Sequence, residues 1–348
     1  MTPRYPRIRH RGIPPGKVEL WSGEPYRPPR QLLARDVIRF VFYLPQEHPD
    51  IASGVSHAID SYMRAVGEGP KTINYVHFSH DEGTDLNEEN WGYVRLLLQN
   101  TKRWSFPDDY DANERREIEK RGFERGLLFT GGIGSRNGYE LEYRARIPWR
   151  TPSPDSVSLL TATLPTEYLE AHGPARVREL ALDMASQLRF ASGHAGLALR
   201  LDWSLRSTDD SLRAELSRYP GIDLRTAWLG AHRMGLRIDG VHWLNFLAPP
   251  VLHELGGATA LRSRLHAPGT TVQELGEDRV VVSLGEWPEA GDLDAGQTLP
   301  AYRELARVLE PWLEPFKLTE KSWDEPPRYG GMRFTEDEAR RWWRRFLD

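Results

Sequence analysis

The chain has 348 residues, 39% of them hydrophobic, with a formal net charge of −4. That length can bury a sizeable core, and so small a charge cannot draw the whole molecule to nucleic acid or to a membrane surface. There is no cysteine, which excludes disulfides, Cys-ligated zinc, iron–sulfur clusters and a thiol nucleophile.

The opening residues, MTPRYPRIRHRGIPPGK, lack the apolar core of a signal peptide. No run approaches the ~20 apolar residues of a membrane span. The expectation is a cytoplasmic protein without membrane or direct nucleic-acid contact. Residues 1–35 form a basic Pro/Arg-rich arm (Arg4, Arg7, Arg9, Arg11, Lys17, Arg27, Arg30, Arg35). Such an arm fits an extended segment lying over the surface. No aromatic-interleaved basic groove follows it, as single-strand binding would need.

From Asp36, DVIRFVFYL reads as a strand by its β-branched and aromatic content. Asp50 is placed to cap a helix with Ile51, Val55, Ile59, Tyr62 and Val66 on one face. TINYVHF (72–78) is a second strand. DANERREIEKRG (111–122) is a charged helix with Asp111 as its N-cap. LLFTGGIGSRNGYELEYRARI is a hairpin. Its GGIGSRNG segment resembles a nucleotide loop in spelling, but Asn137-Gly138 is a hairpin-turn pair and a strand pattern follows where a phosphate-binding helix would have to start.

The second half repeats the strand-then-helix theme. VSLLTATL (157–164) is a strand. Pro174 opens a helix striped by Val177, Leu180, Ala181, Met184 and Leu188. AGLALRL, VHWLNFL and RVVVSL are strands. Leu299, Tyr302, Leu305, Leu309 and Trp312 line a late helix, and a last helix from Thr335 carries Trp342 and Trp343. Helices interleave with strands joined by turns, so the predicted class is α+β with a largely antiparallel or mixed sheet. Residues 36–318 form the α+β domain, as one unit or as two related lobes (36–150 and 151–318), and 319–348 form a C-terminal extension.

Chemistry-bearing motifs fail on spacing. HELGG (253–257) is one residue short of a zinc-protease motif: His253 and Glu254 are present, but Gly257 stands where the second His must be, four residues along one helical face. Two consecutive glycines favour a helix ending there, with Leu252 and Leu255 facing inward. Ser192 and His194 in FASGHAG make no triad, and the imidazole is as well suited to a turn. No catalytic residue, metal ligand set or cofactor is expected. Two acidic stretches stand out instead. HDEGTDLNEENW carries Asp81, Glu82, Asp85, Glu88 and Glu89. GEWPEAGDLDAG carries Glu286, Glu289, Asp292 and Asp294 around Trp287. The first fails EF-hand spacing. Both suit a basic protein partner.

Four segments together, VSLLTATLP, LRFASGHAGLAL, GVHWLNFLAPPVLHELGG and GEWPEAGDLDAGQTLPAYRELARVLEPW, resemble the bacterial type VI immunity family. The resemblance implies a cytoplasmic protein that binds and neutralises a toxin encoded by a neighbouring gene, with a nuclease effector as the leading candidate. It supplies no catalytic residues. Asp81, Glu82, Asp85, Glu88, Glu89, Glu286, Trp287, Asp292 and Asp294 are the candidate partner-binding set. Two other readings stay open: a hydrolytic enzyme using His242, His253 and Glu254, and a self-associating scaffold.

Overall fold

The computed structural model describes residues 5–12, 30–78, 83–99, 112–113, 116, 126–132, 136–146, 155–201, 217–225, 227–316 and 336–348. The proposed helix over 111–122 falls almost wholly outside these residues, as do Asp81 and Glu82.

Among the described residues the framework is an 11-stranded sheet. Its axis is β2 (Gln31–Leu44), a 14-residue strand that starts before Asp36. It pairs antiparallel with β7 (Ser158–Pro165) on one side and β8 (Ser192–Leu201) on the other. Beyond β7 come β6 (Glu140–Arg144), β5 (Gly126–Thr130), β3 (Tyr75–Phe78) and the two-residue edge β4 (Thr84–Asp85). Beyond β8 come β9 (Leu244–Leu247), β11 (Val280–Leu284) and the edge β10 (Thr270–Glu274). Every named pairing is antiparallel. The architecture is therefore α+β, built on an antiparallel sheet packed with helices. The segment read as a hairpin is one: β5 pairs β6 from Gly126↔Arg144 to Thr130↔Glu140.

Side-chain alternation along β2 assigns its two faces. Ile38, Phe40, Phe42 and Leu44 enter the main core. There they meet α1 (His48–Val66), through Val55, Ile59 and Tyr62, and α3 (Thr166–Ser186), through Val177, Leu180 and Met184. Burying each such side chain stabilises the fold by about 1.5–3 kcal/mol before conformational entropy is subtracted. Val41 and Tyr43 point the other way, toward Val157, Leu159, Met234 and Ala231, the last residue of α4 (Ala227–Ala231). A separate core gathers β9 and β11 with α5 (Val251–Glu254), α6 (Gly257–Arg264) and α7 (Pro300–Leu309). The last helix, α8 (Glu336–Trp343), leads into Phe346, which is buried in that core.

Several boundaries differ from the sequence pattern for local reasons. Helix α1 begins at His48 with Pro49 in its first turn and no side-chain cap, so Asp50 lies inside the helix. The proline ring presets the helical φ and fixes the start earlier. Helix α3 begins at Thr166, and its backbone breaks at Gly173 (φ 78°) before Pro174 opens the second segment. VHWLNFL is a strand only from Leu244. The Asn245 side chain accepts from the His242 amide at 2.9 Å and donates to the His242 carbonyl at 2.7 Å. That local closure competes with the ladder. Two short strands carry no strong pattern: β10, and β1 (Arg9–Gly12), which pairs with the start of β2.

The described part of the basic N-terminal segment is tied to the body. Arg9 bonds the buried Asp36 carboxylate, which also accepts from the Ile8 amide at 2.7 Å and from the Thr166 hydroxyl. Arg7 and Arg9 further engage Glu167 and Glu170 at the start of α3.

Candidate functional site

The first acidic stretch is built around α2 (Glu88–Gln99). Asn87 caps it by accepting from the Asn90 amide at 2.9 Å, and Glu88 and Glu89 in the first turn favour the helix dipole. Trp91, Val94 and Leu98 anchor α2 to the main core, with Trp91 packed on Phe129. The opposite face is left open. Tyr93 is 53% exposed and Leu96 62% exposed, the two most exposed large apolar side chains among the described residues. They lie one turn apart, so they share a face. Gly92 is exposed beside them. Asp85, Glu88 and Glu89 are exposed at the same end of the helix. The sequence pattern had marked the acids and missed Tyr93 and Leu96; the available signal was that EENWGYVRLLLQ carries more apolar residues than one buried stripe can use.

The second acidic stretch is folded onto itself. Asp292 accepts two bonds from the Arg218 guanidinium, at 2.6 and 2.5 Å. It also caps a short 3-10 turn (Leu293–Ala295) through the Asp294 and Ala295 amides. The bond to Arg218 holds its carboxyl below the usual range. Asp294 reaches the same guanidinium at 3.3 Å but stays 72% exposed. Trp287 is half-buried against the main core and Glu286 faces solvent. Beside this loop lies a groove of about 640 Å³, lined by Tyr5, Tyr219, Glu289, Asp292 and Leu299.

The histidines named in the hydrolase reading do not come together. His253 and Glu254 are exposed on the four-residue α5, while Leu252 and Leu255 turn inward. Gly256 adopts a left-handed backbone (φ 86°), which ends the turn at small steric cost. HELGG is thus a helix stop. His242 lies instead in the interior, 2% exposed.

There it stacks on His194, with ring centroids 3.5 Å apart and planes within 9°. His194 sits in strand β8 opposite Val41, on the sheet face away from α1 and α3, and not in a turn. Around this pair the second face of the sheet is ionic. Tyr43 donates to Asp239 Oδ2 at 2.8 Å. Arg225 lies 4.0 Å from Asp239, 3.7 Å from Asp223 and 4.0 Å from Glu314. Arg39 reaches Asp223 at 3.4 Å. Burial would raise the Asp239 carboxyl, but His194 and Arg225 outweigh it and hold it below the usual range. Burial, with the nearby His194, pushes the His242 imidazole well below its ordinary value. The C-terminal residues close over this cluster. Arg225 lies over the Trp343 ring at 4.7 Å and Arg345 over Trp342 at 3.8 Å. Trp343 Nε1 donates to the Glu314 carbonyl at 2.7 Å. Burial pushes the Arg345 guanidinium down to about 9. Asp223, Arg225, Asp239 and Arg345 were not legible as a group, because they converge from distant loops.

Residues 132–346 match the family model TsiV, described as type VI immunity for VRR-NUC, and the chain belongs to that family. Among solved structures it is similar to the Pseudomonas aeruginosa T6SS protein PA0821, with a TM-score of 0.67 at 19% identity, over 91% of this chain and 85% of that one. At that identity the likeness concerns the fold. No curated protein matches the chain. Among the described residues no helix is long and apolar enough to cross a membrane.

Proposed function

We propose that this protein neutralises a secreted nuclease toxin in the cytoplasm by direct contact, and that the exposed face of α2 is its docking surface. The observation that carries the reading is Tyr93 and Leu96 standing more than half exposed on α2, with the exposed Asp85, Glu88 and Glu89 at the N-terminal end of the same helix. Interfaces concentrate their energy in a few desolvated aromatic or aliphatic anchors, surrounded by polar groups that exclude water. A nuclease must present a basic surface to phosphate. An acidic helix end attracts that surface and accelerates encounter, while the apolar pair slows dissociation. Membership of an immunity family supports the same reading, since inhibition needs complementarity and not catalysis.

The test is co-expression with the product of the neighbouring gene. Restored growth and recovery of a stoichiometric complex are the expected results. A toxin that kills equally well with the protein present, and that does not co-purify with it, would end the proposal.

A further inference from the structure

Buried polar atoms are nearly always hydrogen-bonded, and each unpaired one costs about 1–3 kcal/mol. The histidine cluster breaks that rule repeatedly. Both ring nitrogens of His194, and Nε2 of His242, are buried without a hydrogen-bond partner. His194 Nδ1 approaches Asp239 Oδ1 to 2.9 Å, yet out of hydrogen-bond alignment. His242 Nε2 lies 3.8 Å from the same oxygen. One ligand atom from each of His194, Asp239 and His242 can be chosen so that all lie within 4.8 Å of one another. We propose that these three residues form a binding site for a single zinc-class transition-metal dication.

Three observations support the assignment. The two rings are stacked 3.5 Å apart, which brings donor nitrogens of both beside the Asp239 carboxylate. The surroundings orient the donors in the way metal sites require. Tyr43 holds the other Asp239 oxygen, and the Asn245 side chain fixes the His242 backbone through its amide and its carbonyl. The donor set is two imidazoles and one carboxylate, which suits zinc, cobalt, nickel or copper better than calcium or magnesium. Parallel rings aim their in-plane lone pairs alongside one another, so binding requires the rings to tilt until both nitrogens reach the ~2.0–2.1 Å of a metal–nitrogen bond. Arg225, 4.0 Å from the shared carboxylate oxygen, opposes a cation there. It is countered by Asp223 and Glu314 and sets the affinity below that of a thiolate site. The segments that supply the imidazoles, FASGHAG and GVHWLNFL, are among those that carry the family resemblance.

The test uses the full chain, stripped with chelator and titrated with Zn²⁺ or Co²⁺. About one ion per chain is expected, with a Tm higher by several degrees and, for Co²⁺, the visible absorption of a low-symmetry four- or five-coordinate ion. His242→Ala should lose the ion and the Tm response, and His253→Ala, on the surface, should keep both. If His242→Ala does not fold, the wild-type chelation and Co²⁺ spectrum decide alone. Substoichiometric metal with no Tm response in wild type overturns the site and leaves the nitrogens to buried water. Retention of a full equivalent by His242→Ala also overturns it. Neither result bears on toxin binding by α2.

Discussion

The two acidic stretches read alike as sequence, each a run of carboxylates around a tryptophan, and the fold makes them different objects. The first becomes a helix whose tryptophan is sunk into the core and whose opposite face carries Tyr93 and Leu96 outward beside Asp85, Glu88 and Glu89. The second closes on itself: Asp292 is committed to Arg218 and to the 3-10 turn, and Trp287 leans on the core. They also flank opposite ends of the sheet. The strands next to them, β3 and β11, are seven positions apart, roughly 34 Å along the sheet at ~4.8 Å per strand. A partner seated on one patch need not touch the other. Negative charge marks a candidate surface, but what the charges are already bonded to decides whether it is free to bind.

That difference predicts where substitutions hurt. The largest effect is expected from Tyr93→Ala with Leu96→Ala. Anchors of this kind are worth about 2 kcal/mol each, so affinity for the toxin should fall about 30-fold singly and approach a thousandfold together. Calorimetry or surface plasmon resonance measures it. Thermal stability should change little, since both side chains are more than half exposed and Tyr93 gives up only an edge contact with Phe78. A dissociation constant unchanged in the double variant would remove α2 from the interface.

Next in size is the charge reversal of Asp85, Glu88 and Glu89 to Lys. Exposed rim charges govern encounter more than residence. The association rate should fall about tenfold at low ionic strength, the dissociation rate should change little, and the difference should shrink at high salt as the charges are screened. An effect confined to the dissociation rate would mean that these carboxylates make buried contacts in the complex, which their exposure in the free protein does not foretell.

How far the sequence foretold this layout follows from the range of the forces involved. The central strand, the hairpin, the stripe of α3 and the glycine stop after HELGG are set within a few residues by periodicity, turn chemistry and backbone freedom, and all are present in the structure. The acidic residues at 85, 88 and 89 were visible for the same reason. Tyr93 and Leu96 were not separable from core positions, because only the packing of Trp91, Val94 and Leu98 says which face is already used. The histidine cluster was beyond local reading altogether. His194 comes from a strand, Asp239 and His242 from the irregular segment before β9, Arg225 from a loop and the covering tryptophans from the last helix. Asn245, by closing on His242, shortened the strand that alternation implied. Gly240 belongs to the same case. Its backbone is at φ 151°, and a Cβ there would come within 2.3 Å of Arg225 Nη2, so that glycine makes room for an ion cluster no local pattern announces.

The smallest binding effect should come from the other stretch, and it sharpens the contrast most. Asp292→Ala removes both Arg218 bonds and the cap of the 3-10 turn. The loop should loosen and Tm fall by a few degrees, with toxin affinity within about twofold of wild type, inside the range of energetically neutral positions. Glu286→Lys with Asp294→Lys should change neither, because Glu286 faces solvent and Asp294 holds Arg218 only at the exposed rim, where solvent screens such pairs. The informative quantity is the ratio between the two regions measured with one toxin. If the 286–294 variants weaken binding as much as the α2 variants do, the partner spans both sheet edges, and the groove beside Asp292 belongs to the interface as well.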